Sequence, residues 1–188
     1  MRRPFIVISG LPASGKSTLA RRLGPALNLP VIDKDDILET FFQARGIGDA
    51  AWRRTLSRES DEILQQRAMA AADGAVLASF WRVPGMPADS GTPTNWVLTL
   101  SDQVLNVHCD CAPEVAANRF LLRQRHHGHL DETKSRDEVL AAFRHLSVLP
   151  PLDIPHRIHV DTVEEPPLED VVGKVRKALN FDALNFRV

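Results

Sequence analysis

Short apolar runs alternate with amphipathic stretches along the chain. Phe5-Ile6-Val7-Ile8 is wholly apolar and β-rich, the pattern of a parallel strand covered on both faces. The spacing predicts a turn over 9–14 and a helix from Lys16 to Leu23. Pro30-Val31-Ile32 reads as a short second strand ending in Asp33, followed by a helix over 35–44 that Gly46 and Gly48 break. Residues 50–72 form a long amphipathic pattern, with Trp52, Leu56, Ile63, Leu64 and Met69 at apolar positions. Ala75 to Phe80 reads as a third buried strand.

The second half repeats the alternation. Residues 83–96, with Pro84, Gly85, Pro87, Gly91 and Pro93, read as a long loop, a kind that often carries function. Val104 to Cys109 is the next strand, and Pro113 suits the first turn of a helix that runs to about Gln124. Arg125 to Thr133 is polar, contains Gly128, and reads as a hinge or lid. Ser135 and Glu138 have capping-box spacing for a helix that stops before Pro150-Pro151. Arg157 to Val160 is a last strand, Leu168 to Leu179 a last helix, and 180–188 a tail or edge element. This order predicts one α/β domain over 1–188, a three-layer α/β/α sandwich on a parallel sheet. A lid around 119–134 and an acceptor-side loop over 83–96 belong to it.

Composition narrows the class. The 188 residues are 25% charged and 44% hydrophobic, which excludes a largely disordered chain. With 23 basic against 24 acidic residues, the formal net charge of -1 gives no electrostatic ground for a nucleic-acid partner. No apolar run approaches the roughly 20 residues that cross a bilayer, and Phe5 to Ile8 is too short for a secretory signal. Cys109 and Cys111 are too few and too close for a disulfide framework, which predicts a cytoplasmic protein. A monomer or simple dimer is the expected state.

One motif carries strong chemistry. Gly10-Leu11-Pro12-Ala13-Ser14-Gly15-Lys16-Ser17-Thr18 is the phosphate-loop pattern, placed between a predicted strand and a predicted helix as its mechanism requires. Successive backbone donors and the helix N-terminus suit β-phosphate oxygens. Lys16 is expected to reach the β- and γ-phosphates of ATP, and Ser17 to offer its hydroxyl to Mg²⁺.

Further candidates follow from position. Asp33-Lys34-Asp35-Asp36 stands at the carboxyl end of the second strand, where α/β sheets bind ligands. Asp35 is the first choice for a base that takes an alcohol's proton, and Asp33 the second. Either also suits helix capping or water-mediated contact with magnesium. Arg119 and Arg123 share a helix face, and Arg125 ends that helix; their guanidinium groups fit the oxygens of a transferring phosphoryl group. Trp81 and Arg82, at the end of the third strand, and Trp52 and Arg53, on the long helix, are candidate acceptor contacts. His126, His127 and His129 lack the ligand spacing of a zinc site, and His108 beside Cys109 reads as strand-end packing.

On these residues the chain resembles the small P-loop kinases. It is similar over about 5–178 to the group of ATP-binding kinases around chloramphenicol phosphotransferase and the zeta-toxin-type enzymes; shikimate and gluconate kinases are more distant. The resemblance implies an ATP loop at Gly10 to Thr18 and a base at Asp35, in the run Val31 to Asp36. It also implies a lid helix within Val107 to Arg125 and a nucleotide-base contact near Val160-Asp161-Thr162. One feature departs from the pattern: Ala75 to Phe80 has no strand-three aspartate, only Ser79. The expected activity is transfer of the γ-phosphate of ATP to a hydroxyl of a small molecule. A nucleotide or polynucleotide 5′-hydroxyl acceptor, or a nucleotide-binding regulator with little turnover, remains the alternative.

Overall fold

The computed structural model describes residues 3–131 and 134–179. Among these residues five strands form one parallel sheet: β1 (Phe5–Gly10), β2 (Val31–Asp33), β3 (Ala75–Ala78), β4 (Val104–Asp110) and β5 (His156–Asp161). Their spatial order is β2-β3-β1-β4-β5. The apolar strands occupy the centre, where both faces are covered: Phe5 to Ile8 and Ala75 to Leu77 have no exposure.

Among the described residues six α-helices complete the layers: α1 (Lys16–Leu27), α2 (Lys34–Arg45), α3 (Ala50–Ala70), α4 (Pro113–Leu122), α5 (Arg136–Ser147) and α6 (Leu168–Leu179). Strand alternation splits the core. Phe5, Val7 and Leu77 pack with Ile37 of α2 and Leu64 of α3, while Ile6, Ile8 and Leu105 pack with Leu19 and Leu23 of α1 and Val171 and Val175 of α6. Truncating a fully buried leucine such as Leu77 or Leu105 to alanine costs about 2–5 kcal/mol. A third cluster, Ala116, Ala117 and Phe120 against Val139 and Phe143, joins α4 to α5.

The three-layer expectation is met, with shifts at element ends. The first helix extends past Leu23 through Pro25 to Leu27. Gly24 permits this, because a Cβ there would stand 2.3 Å from Val31 Cγ2. The third strand ends at Ala78, two residues early, because Phe80 turns out to accept from the Thr92 amide in the following loop. That loop is more ordered than its composition suggests: a Trp81–Thr92 bridge pins it, and Val97–Thr99 makes one helical turn. The capping box at Ser135 and Glu138 forms as expected. Cys109 and Cys111 are free thiols. The tail expected over 180–188 and part of the 119–134 lid lie outside the described residues.

The strand order places the site. From β1 the chain crosses over β3 to β2, and from β3 it crosses back over β1 to β4. The connections therefore part between β1 and β3. Ligands of open α/β sheets bind beyond the carboxyl ends of strands at such a switch point. Here that point gathers the turn after β1, Asp33 at the end of β2 and Ser79 after β3.

Candidate active site

A cleft of about 1260 Å³ opens at this edge, lined by the phosphate loop, α2, α3, the 83–96 loop and the lid. At its floor the chain folds tightly between β1 and α1. Gly10 has φ +133°, and a Cβ there would come 2.6 Å from the Cys109 carbonyl oxygen. Gly15, at φ +92°, is the N-cap of α1. No side chain caps this helix and no acidic residue occupies its first turn. The first amides of α1 are thus left for an anionic ligand.

Lys16 crosses the loop, donating to the carbonyl oxygens of Leu11 at 2.7 Å and Gly10 at 3.2 Å. Desolvation pulls its pKa down to about 8, against the opposing influence of Cys109, Asp35 and Asp33. Phosphate oxygens in the loop would raise it again by favouring the ammonium. Cys109, behind the loop, is pushed up to about 12 by burial and is a packing thiol.

Asp33 and Asp35 do different work. Asp33 is buried and caps α2, accepting from the Asp35 amide at 3.0 Å. Burial raises its pKa, and the Ser17 hydroxyl and the Asp35 amide hold it partly down. Its Oδ2 is buried without a hydrogen-bond partner. A buried carboxylate oxygen with spare capacity, beside a serine hydroxyl on the phosphate loop, fits a hydrated divalent cation. The Asp35 carboxylate is about half exposed and meets Arg125 at 2.5 Å. Burial favours its neutral form, but Arg125, then His129, Lys16 and Arg123, hold it below the usual carboxylate range.

The lid brings its arginines in unevenly. Arg123 stacks over the Phe120 ring at 4.4 Å and pairs with Asp131 at 2.8 Å. Arg125 bridges Asp35 and Asp131, the latter at 3.2 Å. Both line the cleft. Arg119 also lines it, yet its guanidinium donates to the carbonyls of Thr162 at 2.8 Å and Val163 at 2.6 Å. It straps the turn after β5, the region the resemblance assigns to the nucleotide base. The lid is held to α2 by Phe42, which stacks on His126 and meets His129 edge-on. The His129 Nε2 lies 3.0 Å from Glu39 Oε1. Through these contacts His126 and His129 clamp the lid to α2.

On the acceptor side, Arg53 and Arg82 line the cleft. Arg82 donates to the Ser90 carbonyl at 2.8 Å and braces the loop. The Arg53 Nε is buried without a partner. Trp81 does not serve as an acceptor contact. It is 3% exposed, donates its indole N–H to the Ile8 carbonyl at 2.9 Å and packs against Trp96. The strand direction that aims residue 82 outward aims residue 81 into the core, and Trp96 reaches the cleft instead. The sequence reading missed Asp61, Asp131 and Thr92. Asp61 looks like one more charge on an amphipathic helix, and its contacts with Lys34 at 2.6 Å and Thr92 at 2.7 Å mark it.

The strand order, the loop and the carboxylate at the second strand's end define a small P-loop kinase-like protein. The chain matches the AAA domain family model AAA_33 over residues 5–150, and it belongs to that family. A solved structure from Chloroflexus aurantiacus J-10-fl, named as a candidate kinase, superposes with a TM-score of 0.79 at 26% identity, covering 95% of this chain and 100% of that one. A gluconokinase from Sinorhizobium meliloti 1021 shares the fold, with a TM-score of 0.58 at 17% identity over 98% and 97% of the two chains. Among curated proteins, a shikimate kinase of Corynebacterium jeikeium is 35% identical over 82 residues, 40% of this chain and 44% of the enzyme. The shikimate kinase of Corynebacterium efficiens is 49% identical over 39 residues, 21% of this chain and 23% of the enzyme. The matched stretches thus span less than half the length of these relatives.

Proposed function

We propose that this protein transfers the γ-phosphate of ATP to a hydroxyl group of a small molecule, with Asp35 as the base. One observation carries the reading. An uncapped α1 N-terminus, Lys16, the Asp35 carboxylate and the lid arginines all line a single cleft at the sheet's switch point. The kinase names of the relatives support it.

In this mechanism the amides of 10–18 receive the β-phosphate, and Lys16 exchanges the Gly10 and Leu11 carbonyls for phosphate oxygens. Asp35 leaves Arg125 and accepts the hydroxyl proton of the substrate. The substrate oxygen bonds to the γ-phosphorus as the bond to the bridging oxygen of ADP breaks. Arg123 and Arg125 then face the equatorial oxygens, where charge is spread. Ser17 and Asp33 are the residues that would hold Mg²⁺, which when bound neutralises charge on the phosphate oxygens. Arg53, with an unused buried Nε, is the acceptor-side contact, and Arg82 shapes the loop around it.

The test is a transfer screen with γ-labelled ATP against pooled hydroxylated metabolites, antibiotics and nucleosides. Label is expected on one organic acceptor, absent with Lys16→Ala and strongly reduced with Asp35→Asn. Full transfer by Asp35→Asn would remove the base assignment, and release of free phosphate alone from every pool would remove the kinase reading.

A further inference from the structure

A chain of four polar side chains runs beneath the acceptor side of the cleft. Asp61 Oδ1, on α3, lies 2.6 Å from Lys34 Nζ and 2.7 Å from Thr92 Oγ1. Thr92 Oγ1 in turn lies 2.5 Å from Ser79 Oγ. Lys34, Thr92 and Ser79 are all buried, and Thr92 has no exposure.

The direction of these bonds follows from proton counting. A carboxylate oxygen paired with an ammonium only accepts, so Thr92 gives Asp61 its single hydroxyl proton. Thr92 has none left for Ser79, so Ser79 donates to Thr92. The Ser79 hydroxyl proton is thus spent, and only its oxygen lone pairs remain for a ligand. Ser79 lines the cleft directly after β3. Bonds in series polarise one another, and this series ends on a carboxylate, which makes the Ser79 oxygen a stronger acceptor.

The same carboxylate ties three elements together. Thr92 belongs to the 83–96 loop, and its amide donates to the Phe80 carbonyl at 2.8 Å while its carbonyl accepts from the Arg82 amide at 2.8 Å. Lys34 stands at the foot of α2 between Asp33 and Asp35. Through two bonds to one oxygen, Asp61 joins the acceptor loop, the end of β3 and the helix that carries the proposed base.

We propose that Asp61 is a positioning residue of the acceptor site: through Thr92 it anchors the 83–96 loop and orients Ser79 to accept a hydrogen bond from the bound small molecule. The acceptor is therefore a compound with a second hydrogen-bond donor, hydroxyl or amine, near the hydroxyl that is phosphorylated. This rests on the kinase reading above.

The experiment compares Ser79→Ala, Thr92→Val, Thr92→Ser, Asp61→Ala and the double variant Asp61→Ala/Ser79→Ala, using the acceptor found by the transfer screen. Ser79→Ala and Thr92→Val are expected to raise the acceptor KM about tenfold, the value of one lost hydrogen bond, with kcat changed far less. Thr92→Ser, which keeps the hydroxyl, is expected to restore the native KM. The double variant is expected to match Asp61→Ala alone, because both changes break one chain. All are expected to bind MgATP as the native protein does. An unchanged KM in Ser79→Ala, or independent multiplication of the two effects, would overturn the proposal.

Amide exchange gives a readout that needs no acceptor. In Thr92→Val and Asp61→Ala the amides of Arg82 and Thr92 are expected to exchange at least about tenfold faster, while β4 amides keep their protection. If the native protein phosphorylates nothing in the screen, the kinase reading fails by itself. Native-like exchange at Arg82 and Thr92 in both variants would then overturn the anchoring role of Asp61 separately.

Discussion

Arg125 reaches across the cleft to place its guanidinium 2.5 Å from the Asp35 carboxylate. The lid thus holds the proposed base in its charged form before any acceptor arrives. Replacing Arg125 by Gln removes the strongest influence that lowers the Asp35 pKa. Asp35 works as a base only when ionised, so turnover is lost as pH falls through its pKa. The acid limb of the kcat/KM profile is expected to move to higher pH in Arg125→Gln, and to stay in place in Arg144→Gln, a distant surface change. Asp35→Asn is expected to lower kcat by about 10²–10⁴-fold, the usual contribution of a general base, with MgATP still bound.

Lys16 supplies a second pH signature. Its pKa of about 8 without ligand rises when phosphate oxygens surround it, since opposite charge favours the ammonium. ATP affinity is therefore full below about pH 8 and falls as pH rises through that value. Calorimetry at pH 8.5 in buffers of different ionisation enthalpy is expected to show proton uptake on binding. Uptake is expected to vanish in Lys16→Met, together with most of the affinity.

Asp33 is expected to trade stability for function. Burial raises its pKa in the folded protein, so its contribution to stability is fully present below the unfolded carboxylate pKa and is lost as pH rises through the folded value. At neutral pH the ionised group is a cost. Asn keeps the cap on α2 and removes the buried charge. Asp33→Asn is expected to raise Tm at pH 7 by a few degrees, about 2–4 °C per kcal/mol for a chain of this size. The gain is expected to shrink toward pH 4, and the magnesium dependence of ATP binding is expected to weaken.

Trp81→Phe tests the core role of Trp81 beyond the end of β3. The Ile8 carbonyl loses its donor inside the core, which costs about 1–3 kcal/mol. A lower Tm with an unchanged acceptor KM is expected. A raised KM at native Tm would return Trp81 to the acceptor site.

Much of this molecule was legible in its sequence because its signals are local. Apolar runs of four residues fix the central strands, and glycines at 10 and 15 fix the turn into α1. Asp35 and Arg125 were readable one at a time, from their places at the end of a strand and the end of a helix. Their contact was not, since 90 residues separate them and no local pattern encodes it. Trp81 and Arg82 looked alike as strand-end residues, and one residue of strand phase decides which enters the core. Asp61 and Thr92 were hidden for the same reason, and Ser79 stood out only for the missing strand-three aspartate: each is an ordinary polar residue until the fold sets them in one chain.

In the proposed reaction the loop over 10–18 holds ATP while an organic hydroxyl takes its γ-phosphate. Phosphorus NMR of the protein with MgATP and the screened acceptor pool tests it directly. The γ signal is expected to decline as a phosphomonoester signal and ADP grow in equal amounts, and Lys16→Ala is expected to stop both. Inorganic phosphate as the sole product in every pool, or an unchanged ATP spectrum with folded protein, would contradict it.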